Sequence, residues 1–150
     1  MGKKRVIVKT KEELLKERDK IETAIRKEVK ITAPQKAKEG RIYISSSYNN
    51  TLLTLTDSEG NALFQTSAGK IGFKSAKKGT PFAASKVAET MAYSAQKLKI
   101  RKIKVFVKGV GPGRDSAIRS LAAKDLDIVS IKDTTPIPHN GCRPKKPRRV

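Results

Sequence analysis

Between Arg41 and Asp57 the chain holds two β-rich runs, RIYISSS and TLLTLTD, in which Ile42 and Ile44, then Leu53 and Leu55, stand two apart, and strands are predicted there. Tyr48-Asn49-Asn50 separates the two runs, and because adjacent asparagines tolerate left-handed turn geometry a hairpin is expected there. Ser58-Glu59-Gly60-Asn61 turns the chain into a third run, ALFQTS, which is followed by the polar loop AGKIGFKSAKKG. The period then changes. Thr80 supplies an N-cap hydroxyl and Pro81 a first helical residue that needs no N–H. Ala84, Val87, Ala88, Met91, Ala92, Ala95 and Leu98 then recur at helical spacing, and such small residues let a helix lie close on a sheet. KIKVFVK returns to period two, with Ile103, Val105 and Val107 on one face and cations alternating with Phe106 on the other. After a glycine-rich turn, RDSAIRSLAAKD predicts a second helix burying Ala117, Ile118, Leu121 and Ala122, and DIVSIKD a fifth strand. The order β-β-β-α-β-α-β implies an α/β domain with a mixed five-stranded sheet, in which an antiparallel meander is joined to two crossover units and helices pack on the sheet.

The flanks differ from this domain, assigned to residues 41–134. Residues 1–40 mix bases and acids with few large apolar groups. Thr10-Lys11-Glu12-Glu13 has capping-box spacing, and Leu14, Ile21, Ile25 and Val29 follow at near-helical intervals. A helix over about residues 11–29 is therefore expected, with a solvated extension that orders on a partner as the alternative. Residues 135–150 hold four prolines and, after His139, bases without an acid, so an extended tail is expected.

Composition narrows the partner. A net charge of +20 over 150 residues exceeds what solubility requires and repels itself unless an anion neutralises it. Nucleic acid fits better than a membrane surface, because the basic clusters sit in loops and at the C-terminus instead of on one long amphipathic helix. No apolar run reaches the length of a membrane span, and the N-terminus lacks the apolar segment of a secretory signal. A soluble, cytoplasmic protein is expected. Cys142 is the only cysteine, so the fold is expected to need neither a disulfide nor a metal.

The stretch KGVGPGRDSAIRSL raises the question of a nucleotide site, since glycine-rich turns that open helices do cradle phosphates. The spacing fails both tests. A P-loop needs GxxxxGK[ST], and the dinucleotide fingerprint needs a third glycine one position later than Gly113. No small-molecule substrate or cofactor is expected. Two readings of the loop stay open, a plain turn or a helix end flanked by Arg114 and Arg119 that faces a polymer's phosphate. A nuclease would need clustered carboxylates for two metal ions. The first strand carries none between Arg41 and Asn50, and Asp57, Glu59, Glu89 and Asp115 show no convergence in sequence, so a non-enzymatic binding role is favoured over an RNA-processing nuclease. His139 and Cys142 lie together in a tail that offers no scaffold for a catalytic pair. Candidate RNA contacts are Lys70, Lys74, Lys77 and Lys78 with the aromatic Phe73, in a glycine-containing loop that can follow a phosphate backbone. Arg143, Lys145, Lys146, Arg148 and Arg149 in the tail carry the same implication.

Four stretches in register, SYNNTLLTLTDSEGNAL, GFKSAKKGTPFAA, VKGVGPGRDSAIRSL and DTTPIPHNGCRPKKPRRV, closely resemble the bacterial-type small-subunit ribosomal protein eleven (S11) family. The likeness runs from about Arg41 to Val150 and leaves residues 1–40 outside it. Ser75 stands where a glycine is usual and Val110 where a proline is usual. The resemblance implies a ribonuclease-H-like α/β scaffold without catalysis, as a structural constituent of the small ribosomal subunit that supports assembly and translation. It implies a place on the subunit platform near the messenger exit and E-site, with ribosomal RNA and neighbouring platform proteins as partners and messenger RNA nearby. At matching positions it adds Asn49, Asn50 and Thr51 in the hairpin, and His139 and Asn140 in the tail, to the expected RNA contacts.

Overall fold

The alternation read from the sequence builds a single mixed sheet with one covered face. In a computed structural model, strands β1 (Glu39–Ser47), β2 (Asn50–Thr56), β3 (Ala62–Ser67), β4 (Lys102–Lys108) and β5 (Asp127–Asp133) lie in the order β3-β2-β1-β4-β5. The meander β1-β2-β3 is antiparallel, and β1, β4 and β5 are parallel. Helix α1 (Pro81–Lys97) connects β3 to β4, and helix α2 (Arg114–Ala122) connects β4 to β5. The structure describes residues 39–143, residues 145 and 146, and the isolated positions Leu15, Asp19 and Thr23, each helical. The remainder of the expected 11–29 helix, together with Arg148 and Arg149, lies outside the described residues.

The core forms where the inward positions of the strands meet the helices. Ile42, Ile44, Leu53, Leu55, Ile103, Val105 and Val107 are fully buried against Ala84, Val87, Ala88, Met91 and Ala95 of α1, and removal of this apolar surface from water drives the assembly. Two polar residues of α1, Thr90 and Ser94, are also fully buried. Each hydroxyl donates to the carbonyl one turn back, Lys86 and Thr90 respectively, which satisfies it inside the helix. The shorter α2 buries Ala117 and Leu121 and half-buries Ile118, whereas Ala122, expected inside, is exposed. The fifth strand forms as expected, but it is an edge strand, with Val129 and Ile131 exposed.

The hairpin between β1 and β2 also forms, through the two residues Tyr48 and Asn49, with Ser47 paired to Asn50. Its turn differs from the expectation, because neither residue has positive φ. The Ser47 hydroxyl closes it instead, accepting from the Asn50 N–H at 3.2 Å and donating to the Asn50 carbonyl at 3.1 Å. What fixes this hairpin in space is the glycine-rich loop. The Gly111 N–H donates to the Ser46 carbonyl at 3.0 Å. Side chains are barred from that approach: a Cβ on Gly111 would collide with the Ser47 carbonyl oxygen and the Ser46 hydroxyl, and one on Gly109, which has φ +98°, with the Ser46 carbonyl oxygen. Gly79 meets the Tyr48 carbonyl in the same way from the other side. Of the two readings of KGVGPGR left open by its sequence, the glycines themselves therefore serve the turn, and they do so by letting backbone pack on backbone.

Gly111→Ala is expected to destabilise the fold by about 1–3 kcal/mol, the usual penalty for overpacking a rigid site. Gly69→Ala, whose added Cβ would find only ordinary contacts no closer than 3.6 Å, should stay within about 0.5 kcal/mol of the parent. Chemical denaturation of the two variants checks this, and equal stabilities would contradict it.

Candidate nucleic-acid interface

The connectivity gathers the candidate residues at one end of the sheet. The parallel strands β1, β4 and β5 all point to this end. The hairpin tip, the loop before α1, the glycine loop before α2 and the start of the C-terminal tail therefore all emerge there. The N-termini of both helices lie at this end too, and their unpaired N–H groups and dipoles favour anions. In open α/β sheets the ends of the parallel strands are the common place for ligands.

The hairpin presents Tyr48, which is 74% exposed, and Asn49, also exposed, while Asn50 is half-buried. Thr51 departs from the expectation. It is fully buried, with its hydroxyl directly under Gly113, so its side chain does not reach the surface. The Thr51 and Ser46 hydroxyls and the Asn50 side-chain carbonyl are buried without a hydrogen-bond partner among the described residues, a concentration of unsatisfied polar groups that is costly inside a fold.

The loop from Ala68 to Thr80 is anchored more firmly than its glycines suggest. Ala68 and Ile71 are fully buried, and the chain closes on itself through the Phe73 N–H, which donates to the Ala68 carbonyl at 3.0 Å. Phe73, expected among the RNA contacts of this loop, is 8% exposed and packs edge-on against Phe82, with ring centroids 6.0 Å apart. The core needs that ring to hold the loop down. Phe82, in the first turn of α1, is the ring that faces out, 58% exposed with the Lys86 ammonium 6.0 Å from its centroid. Sequence reasoning missed it, although residues in the first turn after an N-cap project beyond the last strand and PF follows the Thr80 cap directly. Lys74 and Lys77 are exposed and Lys78 half-buried, on a short 3-10 turn from Ser75 to Gly79 that has no acid in its first turn. Lys70 donates to the Gln65 carbonyl at 3.2 Å and lies over the Phe64 ring. Ser75 adopts φ +52°, a left-handed conformation that favours glycine.

Helix α2 begins at Gly113 without a side-chain cap, and Asp115 stands in its first turn. Arg114 turns inward. Its guanidinium donates to the Gly109 carbonyl at 3.1 Å and forms a 2.7 Å ion pair with Asp133 at the end of β5. Asp133 in turn accepts from the Thr135 N–H and hydroxyl at 2.9 and 2.6 Å, and the Gly109 N–H donates to that hydroxyl at 3.1 Å. The Thr134 N–H adds a bond to the Val107 carbonyl at 2.8 Å. This closed network ties the glycine loop to the point where the tail leaves the sheet, and nothing in the sequence pattern announced it. Arg119 is exposed further along α2. In the tail, His139, Asn140, Arg143, Lys145 and Lys146 are all exposed.

The carboxylates do not assemble a metal centre: among the described residues no group of three or more potential ligands converges. Asp57 is committed to a turn, its carboxylate accepting from the N–H groups of Glu59, Gly60 and Asn61 at 2.8 to 3.0 Å. The Asn61 side-chain amide, together with these bonds, holds its carboxyl below the ordinary value. No described helix is long and apolar enough to cross a membrane.

Comparison with known proteins identifies relatives of the chain. The family model described as ribosomal protein S11 matches residues 40–149. Two curated relatives, from two strains of Treponema pallidum, are each named small ribosomal subunit protein uS11. Each is 55% identical over 112 residues, which span 75% of this chain and 89% of the relative.

The Asp133 carboxyl is held well below the usual carboxylate range, first by the Thr135 hydroxyl and then by Arg114 and the Thr135 N–H. A depressed folded value places the stabilising contribution above the ordinary pKa and removes it only as pH falls through the lower folded one. Carbon-13 NMR of the Asp133 carboxyl should therefore show no titration step near pH 4. A step there would show that the network does not form in solution.

Proposed function

The chain belongs to the ribosomal protein S11 family, whose members are structural, non-enzymatic parts of the small ribosomal subunit, and we propose that it binds ribosomal RNA through the loop-bearing end of its sheet. The observation that carries this reading is the convergence there of the hairpin tip, the 68–80 loop, two helix N-termini and the root of a cationic tail. An RNA backbone is a dense line of phosphates, and cations on loops of different length can follow it where a rigid helix face cannot. Asn49, Lys74, Lys77, Lys78 and the exposed Phe82 provide the contacts of the folded part, with phosphate pairing by the lysines and stacking by the ring. Asn50, half-buried at the base of the hairpin, flanks these contacts with its side-chain carbonyl turned inside. Arg114 acts from within, holding the loop in shape, and Arg119 reaches RNA along the helix.

Within the subunit we place the protein on the platform, near the messenger exit and the E-site, beside neighbouring platform proteins. The tail from residue 135 runs into RNA. The sheet order β3-β2-β1-β4-β5, an antiparallel meander with β4 and β5 added parallel to β1, suits a ribonuclease-H-like scaffold whose catalytic carboxylates are missing. Asp57 and Asp115, the acids a nuclease reading would use, are respectively locked in a turn and exposed at a helix start.

Removing residues 143–150 deletes five cations. The slope of log affinity against log salt, measured on a ribosomal RNA fragment of the platform, should become shallower by roughly 3.5–4.5, because each phosphate neutralised contributes about 0.7–0.9. An unchanged slope would contradict a role for the tail in RNA binding.

A further inference from the structure

Both helices pack on the same side of the sheet, and among the described residues nothing covers the other side. Its outward positions are readable from the strand register. One row crosses all five strands, Gln65, Thr54, Tyr43, Phe106 and Lys132 from β3 to β5. At its centre Tyr43 and Phe106 stack, with ring centroids 5.0 Å apart and planes inclined by 16°, and Tyr43 is 37% exposed. The rows on either side add Arg41 paired with Lys104, and Ser45 paired with Lys108. Arg41, Lys104, Lys108 and Lys132 thus surround the two rings, and none of them forms an ion pair among the described residues. The acids of this face, Glu39 and Asp127, share the end row with Lys102, away from the rings.

An aromatic pair costs solvation when left at a surface, and four like charges around it repel one another. The stack supports the pairing of β1 with β4, but neither it nor the cations belong to the core, which lies on the opposite side. One chemistry answers both at once: a nucleotide strand, whose bases have π-faces for the rings and whose phosphates neutralise the cations. Successive outward positions along a strand are about 6.6 Å apart and neighbouring strands about 4.8 Å, so the cations are distributed around the rings on the scale of a nucleotide. A duplex cannot use the rings, because its bases are already stacked. A cationic protein segment meets repulsion here.

We propose that the open face of the sheet is a second RNA-binding surface, which takes single-stranded nucleotides by stacking on Tyr43 and Phe106 with phosphates on Arg41, Lys104, Lys108 and Lys132. The inference rests on the RNA-binding reading above but uses a different surface, so the two can fail separately. The full chain is titrated with a mixed-sequence single-stranded RNA 12-mer and with a structured platform RNA fragment. Tyr43→Leu/Phe106→Leu keeps the charge and most of the apolar area while removing the rings. It should weaken 12-mer binding about tenfold, the scale expected for lost base stacking, and leave the structured fragment bound as before. Lys104→Gln/Lys108→Gln, which leaves the rings and core untouched, should lower 12-mer affinity and its salt dependence. Equal 12-mer binding by the parent and both folded variants would overturn the second surface while leaving the loop-bearing end in place. Failure of the parent to bind either RNA would overturn both readings. If the leucine pair does not fold, cross-linking decides: a photoreactive phenylalanine at position 43 in assembled subunits should cross-link to RNA, and cross-links only to protein would overturn the proposal.

Discussion

The contact on which the functional end depends is backbone against backbone, where Gly109 and Gly111 meet β1 and Gly79 meets the hairpin turn. A hairpin of two turn residues beyond its last paired position has little to hold it, since an isolated two-stranded ribbon is marginal in water. Here its root is gripped on two sides at a separation that excludes side chains, and a hydrogen bond from Gly111 fixes the register. The loop before α1 and the loop before α2 are thereby held to the same short piece of chain. The Arg114, Asp133 and Thr135 network then adds the tail to that assembly. Each binding element is short and exposed, yet none is placed independently of the others.

The same economy shapes the sheet. One layer of helices on one face leaves a single core, in which small residues of α1 let it lie against inward-facing isoleucine, leucine and valine. The uncovered face carries no core duty and is populated by cations and a stacked aromatic pair. For a protein of net charge +20 this division is physically consistent: apolar surface is concentrated where it can be buried, and charge is distributed over the surfaces that an anionic polymer can neutralise.

Element types and order were legible because strand and helix periods are imposed by which face is buried, and the strands carry that signal at almost every inward position from Ile42 to Val107. Thr80-Pro81 was readable for a similar reason, its chemistry being local. Resemblance in four motifs carried identity further than any physical pattern did. What the pattern could not supply was the direction of individual side chains in loops. Phe73 reads as an exposed aromatic among lysines and is instead the anchor of its loop, while Phe82 holds the exposed position. Thr51 sits in a turn motif but points under Gly113. Arg114 looks like a free cation until Asp133, nineteen residues away, is brought beside it by the parallel pairing of β4 and β5. The three glycines of KGVGPGR suggested a ligand, whereas they answer to the hairpin, a partner that only the fold reveals.

A density map of the assembled small subunit tests the central claim most directly. The account requires Asn49, the 68–80 loop with Lys74, Phe82 at the start of α1, Arg119 on α2 and the tail from Thr135 onward to lie against ribosomal RNA. A map in which this end faces solvent or protein would contradict it.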